Sequence, residues 1–174
     1  MLATTSVCMG IQFTWGVMSS VGTPILRAAG LPLAYCAYVW LCGPLAGLIM
    51  QPLVGWAADT MAPWPSLGRR SPWLLAGLLA SVIALLAIPN LPLLVAGSDA
   101  RGSELGKQAG HRNVATVAAL TSIAFWILNF AVNGMMDPIR ALLADLVPDS
   151  RLQRANGWCS AMCGIGALAS AGAG

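Results

Sequence analysis

Four polar residues inside one apolar stretch, Asn129, Asn133, Asp137 and Arg140, are the side chains best placed to do chemistry. On a helix advancing about 100° per residue they fall at about 0°, 40°, 80° and 20°, a single narrow face. Asp137 and Arg140 are spaced i, i+3, so a carboxylate and a guanidinium can meet there. The apolar run around them extends from Val114 to Leu146, long enough to cross a bilayer, with Asn129 near its middle. Ionisable groups at that depth are costly unless they are paired or turned toward a water-filled cavity. Two readings follow: the lining of a polar substrate's path, or a structural ion pair holding two helices together. Pro138 removes a backbone donor and is expected to kink the helix, freeing the Gly134 carbonyl toward the same cavity.

Three other groups carry chemical potential. Gln12, Trp15 and Ser19 recur at i, i+3, i+7 in an apolar segment, presenting an amide, an indole and a hydroxyl on one face. That trio suits a polar ligand such as a sugar, or hydrogen bonding between helices. Gly43, Gly47, Gln51 and Gly55 form a four-residue stripe that lets another backbone approach closely. Between Asp59 and Arg70 lies a short loop ending Gly68-Arg69-Arg70, in which one carboxylate and two guanidiniums can form a salt-bridge clamp that opens and closes. Positive-inside anchoring accounts for the same arginines.

The elements that must position these groups are membrane helices. Hydrophobic residues make up 57% of the 174-residue chain and charged residues 9%, where a soluble domain has about a quarter. The expected fold is an all-α membrane protein with about five transmembrane spans, near residues 5–26, 34–58, 72–96, 114–146 and 155–174. No segment alternates as a barrel strand does. Ser71-Pro72 is a good start for the third span, and Pro89 to Pro92 should break its end. Residues 98–113 read as a polar, flexible connection in which His111 is solvated. The net charge of +3 comes without a basic, aromatic-interleaved stripe, so nucleic acid is not an expected partner. Five cysteines show no disulfide-framework spacing, and Cys159 and Cys163, lacking a nearby histidine, read as packing residues; no metal is expected. Neither HExxH nor GxSxG occurs, so an enzyme is not expected.

Three blocks go further: GIQFTWGVMSSVGTP (10–24), VWLCGPLAGLIMQPLVGWAAD (39–59) with its Gly-Arg-Arg, and FWILNFAVNGMMDPIRALLADLVPD (125–149). The loop resembles the signature loop of the major facilitator superfamily. Together the blocks resemble the sucrose-transporter-like branch of the glycoside–cation symporters. The resemblance implies a twelve-helix carrier of two six-helix halves, of which this chain would be an incomplete amino-terminal half, its carboxy-terminal half missing. It also implies proton-coupled symport of sucrose or a related glycoside, with the proton gradient in place of any cofactor, in the plasma membrane or an internal one.

On that resemblance Gln12, Trp15, Asn129, Asn133 and Arg140 would face substrate, and Asp59, Arg69 and Arg70 would form the cytoplasmic gate. The amino terminus and the gate would then lie inside. In plant members an aspartate of span four carries the coupling proton, and Asn129, which cannot titrate, stands at that position here. Asp137 is the replacement candidate, with partner of Arg140 as its other role. Leu33 stands where plant carriers have a histidine. Uniport, another sugar, or a truncated non-transporting membrane module are the alternatives.

Overall fold

The computed structural model describes residues 2–96 and 104–172, with side chains for 5–91, 94–95 and 114–172. Among these the regular elements are all helices, without strands: α1 (Leu2–Ala28), α2 (Leu33–Trp40), α3 (Cys42–Thr60), α4 (Ser71–Ala96), α5 (Glu104–Leu146) and α6 (Asp149–Ala171). Three stretches are long and apolar enough to cross a membrane, Leu33–Thr60, Ser71–Leu91 and Val114–Leu146. Large exposed side chains such as Leu48, Leu53, Leu79, Leu86 and Leu168 clothe the outside, which only lipid would solvate favourably. The chain is a multi-pass membrane protein. The helices α1 and α6 have the length to cross, at 27 and 23 residues, but are less apolar than those three.

Proline chemistry sets one boundary and fails to set another. Pro44 has no N–H to give the Trp40 carbonyl, so the helix steps at Leu41 and divides into α2 and α3. The break expected at Pro89 to Pro92 does not occur, for α4 continues to Ala96. Packing against α5 outweighs the lost hydrogen bonds there. The polar connection is also shorter than the sequence suggests. Residues 104–113 form the first turns of α5, while residues 97–103, and the side chains of His111 and its neighbours, lie outside those described.

Neighbour pairs give the relative directions. The helices α1 and α6 run side by side in parallel, Cys8 meeting Cys159, Gly166 lying against Met9 and Phe13, and Gly16 against Ser170. The pair α3 and α5 is parallel too, with Gly43, Gly47 and Gly55 opposite Asn129, Asn133 and Asp137 in turn. Both α1 and α4 run antiparallel to α5, since Gly22 meets Phe125 while Gly30 meets Val114, and Gly77 meets Met135 while Arg70 meets Asp145. These directions are those of successive helices crossing the bilayer in alternation. The central element is α5, which touches each of the other five. Its Phe125, Leu128, Val132, Met135 and Ile139 make the apolar core with Cys8, Met18, Leu26 and Ala84.

Candidate functional site

The polar edge of α5 is divided along its length. Asn129 and Asn133 are 1% and 6% exposed. Each amide donates one turn back within the helix, Asn129 Nδ2 to the Phe125 carbonyl and Asn133 Nδ2 to the Asn129 carbonyl, both at 2.9 Å. The stripe of α3 covers them. A Cβ placed on Gly43 would lie 3.8 Å from Asn129 Oδ1, and one on Gly47 3.5 Å from Asn133 Oδ1. Asp137 is half buried, with Oδ2 3.9 Å from the same point on Gly55, and Arg140 is exposed.

Asp137 and Arg140 do not form the ion pair their spacing allows; neither has a polar partner among the described residues. Asp137 is turned to Gly55 of α3, while Arg140 projects from the exposed edge. The expected wet pocket along this face is a packed seam at its Asn129 end and opens only toward Asp137 and Arg140. Gly134, beside the proline, is small for packing, since a Cβ there would sit 3.1 Å from Met50 Cε.

Three helices converge on Asn129. The ring of Trp15 from α1 lies against Gly43 of α3, its outer carbon 3.3 Å from where a Cβ would stand, so Trp15 and Asn129 flank one glycine. Only a residue without a side chain lets the two approach from opposite helices. Asn129 Oδ1 is buried there without a hydrogen-bond partner. Thr121, two turns earlier on α5, has a hydroxyl in the same condition. Sequence reasoning passed over it, because a lone threonine in an apolar run is ordinary until its burial is known.

The rest of the expected α1 face is only partly assembled. Gln12 is half buried, and Ser19 is exposed with its hydroxyl donating to the Trp15 carbonyl at 2.8 Å. Thr14 and Ser20 do the same to Gly10 and Gly16, at 2.9 and 3.1 Å. Such back-bonding satisfies a hydroxyl within its own helix and leaves it little reason to seek a partner. Toward the far end of α1, Trp40 Nε1 donates to Thr23 Oγ1 at 3.0 Å and its ring meets Phe125 edge-on at 5.1 Å. That cluster pins α1, α2 and α5 together.

A cavity of about 670 Å³ lies elsewhere, between α3, α4 and α5. Met50, Val54, Trp73, Trp126, Ile127 and Phe130 wall it. With almost nothing able to hydrogen-bond, these walls do not suit a sugar.

The loop after α3 is held by its own backbone and by charge. Trp64 and Gly68 exchange N–H···O bonds of 3.0 Å in both directions, and Gly68 takes φ +71°, where a side chain would be strained. Arg70 then lies between two carboxylates, 3.3 Å from Asp59 and 2.6 Å from Asp145. Arg69 Nη1 donates to the Asp59 carbonyl at 3.3 Å. The clamp therefore joins three helix ends, those of α3, α4 and α5. Asp145 was not singled out from sequence, although antiparallel packing of α4 on α5 brings it beside Arg70.

With this geometry in view, the chain can be set beside known proteins. It is 38% identical over 168 residues to the Arabidopsis thaliana sucrose transport protein SUC4, an alignment covering 95% of this chain and 31% of that one. This chain is a homologue of sucrose transport proteins. Rice (Oryza sativa subsp. indica) sucrose transport protein SUT2 is 37% identical over 172 residues, covering 95% of the chain and 32% of its own length. Arabidopsis thaliana SUC3 is 36% identical over 151 residues, covering 84% and 24%. This sucrose transporter homologue thus spans about a third of the length of the curated relatives it matches. No protein-family model and no solved structure matches it.

Proposed function

We propose that this sucrose transporter homologue supplies the first spans of a carrier for sucrose or a related glycoside, moving it by proton-coupled symport. The observation that carries the reading is the unpaired Asn129 Oδ1, buried where α1, α3 and α5 meet and across Gly43 from the Trp15 ring. A buried acceptor without a partner costs about 1–3 kcal/mol. A sugar hydroxyl donating to it removes that cost, and the nearby Trp15 indole offers apolar surface to a pyranose ring. Similarity to sucrose transport proteins over 95% of the chain favours the same class of substrate.

In this reading Trp15 and Asn129 hold the sugar, and Gln12, Asn133 and Arg140 extend the site along the two helices. Asp137 takes the coupling proton: it is ionisable, half buried and free of an ion-pair partner, whereas Asn129 cannot titrate. Arg70, Arg69, Asp59 and Asp145 fasten the cytoplasmic ends when the carrier opens outward. For access, the α3–α5 seam over Asn129 must part during the cycle. Opening of that kind suits a stripe of glycines, whose contacts are weak and smooth.

The test is uptake of labelled sucrose into vesicles carrying the full-length protein, with and without an inward proton gradient. Accumulation that needs the gradient in the unaltered protein, with uptake in Asp137→Asn that goes only to equilibrium and is equal with and without the gradient, supports the reading. Equal uptake with and without the gradient in the unaltered protein removes coupling, and absence of uptake for every glycoside removes the substrate class.

A further inference from the structure

Outside the sugar reading, one cluster of reactive side chains stands unassigned. Cys8 of α1 and Cys159 and Cys163 of α6 place their sulfurs all within 4.8 Å of one another. In this structure Cys8 and Cys159 are joined as a disulfide, their Cα atoms 6.0 Å apart. This corrects the reading of Cys159 as a packing residue. The bond closes 151 residues of chain, and only the parallel docking of α6 on α1 brings its ends together. Cys163 keeps a free thiol, which donates to the Cys8 carbonyl at 3.8 Å. Cys36 and Cys42 are buried and belong to no such group.

We propose that, once the Cys8–Cys159 bond is reduced, the three sulfurs form a binding site for a single Cu(I) ion that ties α1 to α6. The donor set argues for a soft monovalent cation. Thiolates select Cu(I), whereas a structural zinc site closes with four ligands. No histidine or carboxylate joins the three sulfurs among the described residues. Geometry agrees. With metal–sulfur bonds of about 2.3 Å, three sulfurs around a trigonal ion stand about 4 Å apart, inside the observed limit. Two sulfurs one turn apart on α6 and a third from α1 make a triangle that needs little rearrangement. Cys8 is buried while Cys159 and Cys163 are half buried, so the ion has an approach from one side.

Disulfide and metal compete for the same atoms. A phosphine reductant and water convert the disulfide to two thiols, the phosphine leaving as its oxide. Each thiol that then ligates gives up its proton to solvent as the metal–sulfur bond forms. The cluster is therefore a covalent staple when oxidised and a metal staple when reduced and supplied with Cu(I).

The test uses the whole 174-residue chain in detergent, reduced, freed of reductant without air, and titrated with Cu(I) as its violet bicinchoninate complex. The expected result is bleaching that saturates at one Cu(I) per chain, with X-ray absorption giving three sulfur neighbours and no nitrogen or oxygen. Cys163→Ser keeps the residues of the Cys8–Cys159 bond, so its fold is the least at risk; as a direct ligand, its loss should lower affinity by more than the about 10–100-fold that loss of an outer-shell partner costs. Cys8→Ser and Cys159→Ser should do likewise, and the Cys36→Ser, Cys42→Ser double variant should bind as the unaltered chain does. Absence of stoichiometric binding, a shell other than three sulfurs, or unchanged binding in Cys163→Ser overturns the proposal.

Discussion

Two parallel helix pairs, α1–α6 and α3–α5, are both built on glycines, and they use them in opposite ways. In the α1–α6 seam the glycines are spent on contact. A methyl on Gly166 would overlap the Met9 carbonyl oxygen, and one on Gly16 the Ser170 hydroxyl. In the α3–α5 seam Gly47 and Gly55 have room for a methyl, at 3.5 Å or more from the nearest atoms, while one on Gly43 would press on the Trp15 ring at 3.3 Å, and across the seam all three face polar groups. One seam is closed backbone to side chain and stitched by sulfur. The other leaves a methyl's width of space at Gly47 and Gly55, above an amide and a carboxylate. Equal numbers of small residues in a sequence therefore say that helices approach, and the atoms opposite decide whether the approach serves cohesion or access.

The largest effect should separate the seams directly. Gly166→Ala forces the Met9 backbone to move and should cost about 1–3 kcal/mol, the range for overpacking. Gly47→Ala meets only ordinary contacts and gains about 0.5–1 kcal/mol of helix propensity, so it should be neutral or stabilising. Reversible unfolding in mixed micelles, followed by circular dichroism, reads both. Equal losses in the two variants would erase the distinction.

Function should split the other way. Replacing Asn129 by leucine, close in size, removes a buried acceptor without a partner and should raise stability by about 1 kcal/mol. The same change should lower sucrose uptake by the full-length carrier about tenfold, the equivalent of one lost hydrogen bond. A substitution that destabilises the protein while leaving uptake intact would make Asn129 a structural amide. Asp137→Asn tests the open end of the edge. If Asp137 takes the coupling proton as proposed, uptake by the unaltered carrier should rise as the outside medium is acidified. The variant, having no proton to lose, should show a flat profile over the same range of outside pH.

How much of this was legible in the sequence depends on the range of the interaction. Segment hydropathy and a 3.6-residue period are local, so the helices and the shared face of Asn129, Asn133, Asp137 and Arg140 could be read from residue types alone. Whether that face meets water, lipid or a neighbour is set by α3, some 86 positions earlier for Gly43 and Asn129, and spacing within α5 holds no record of it. Hence the wet pocket was expected along the whole edge, and the structure closes the Asn129 end. The Cys8–Cys159 bond and the Arg70–Asp145 pair were missed for the same cause, partners at separations of 151 and 75 residues. At the end of α4 the reverse error arose: Pro89 and Pro92 looked decisive locally, and tertiary packing outweighed them.

The smallest expected effect concerns the clamp, and it sharpens the contrast between cohesion and access. Arg70 is 18% exposed at its side chain, but Asp59 and Asp145 are 62% and 55% exposed, so water screens both pairs. Arg70→Ala should change stability by less than about 1 kcal/mol, and raised salt should shrink even that difference. If the clamp is a latch rather than a strut, the same variant should still alter transport, because a change of about 1 kcal/mol in one of two near-equal states shifts their ratio about fivefold. Cysteine accessibility at Ser150→Cys, an exposed position just beyond the clamp, measured with a membrane-impermeant maleimide in the presence and absence of sucrose, reads that ratio. Labelling should become independent of sucrose when Arg70 is alanine. Sucrose-dependent labelling that survives the substitution would make the pair a bystander of the conformational cycle.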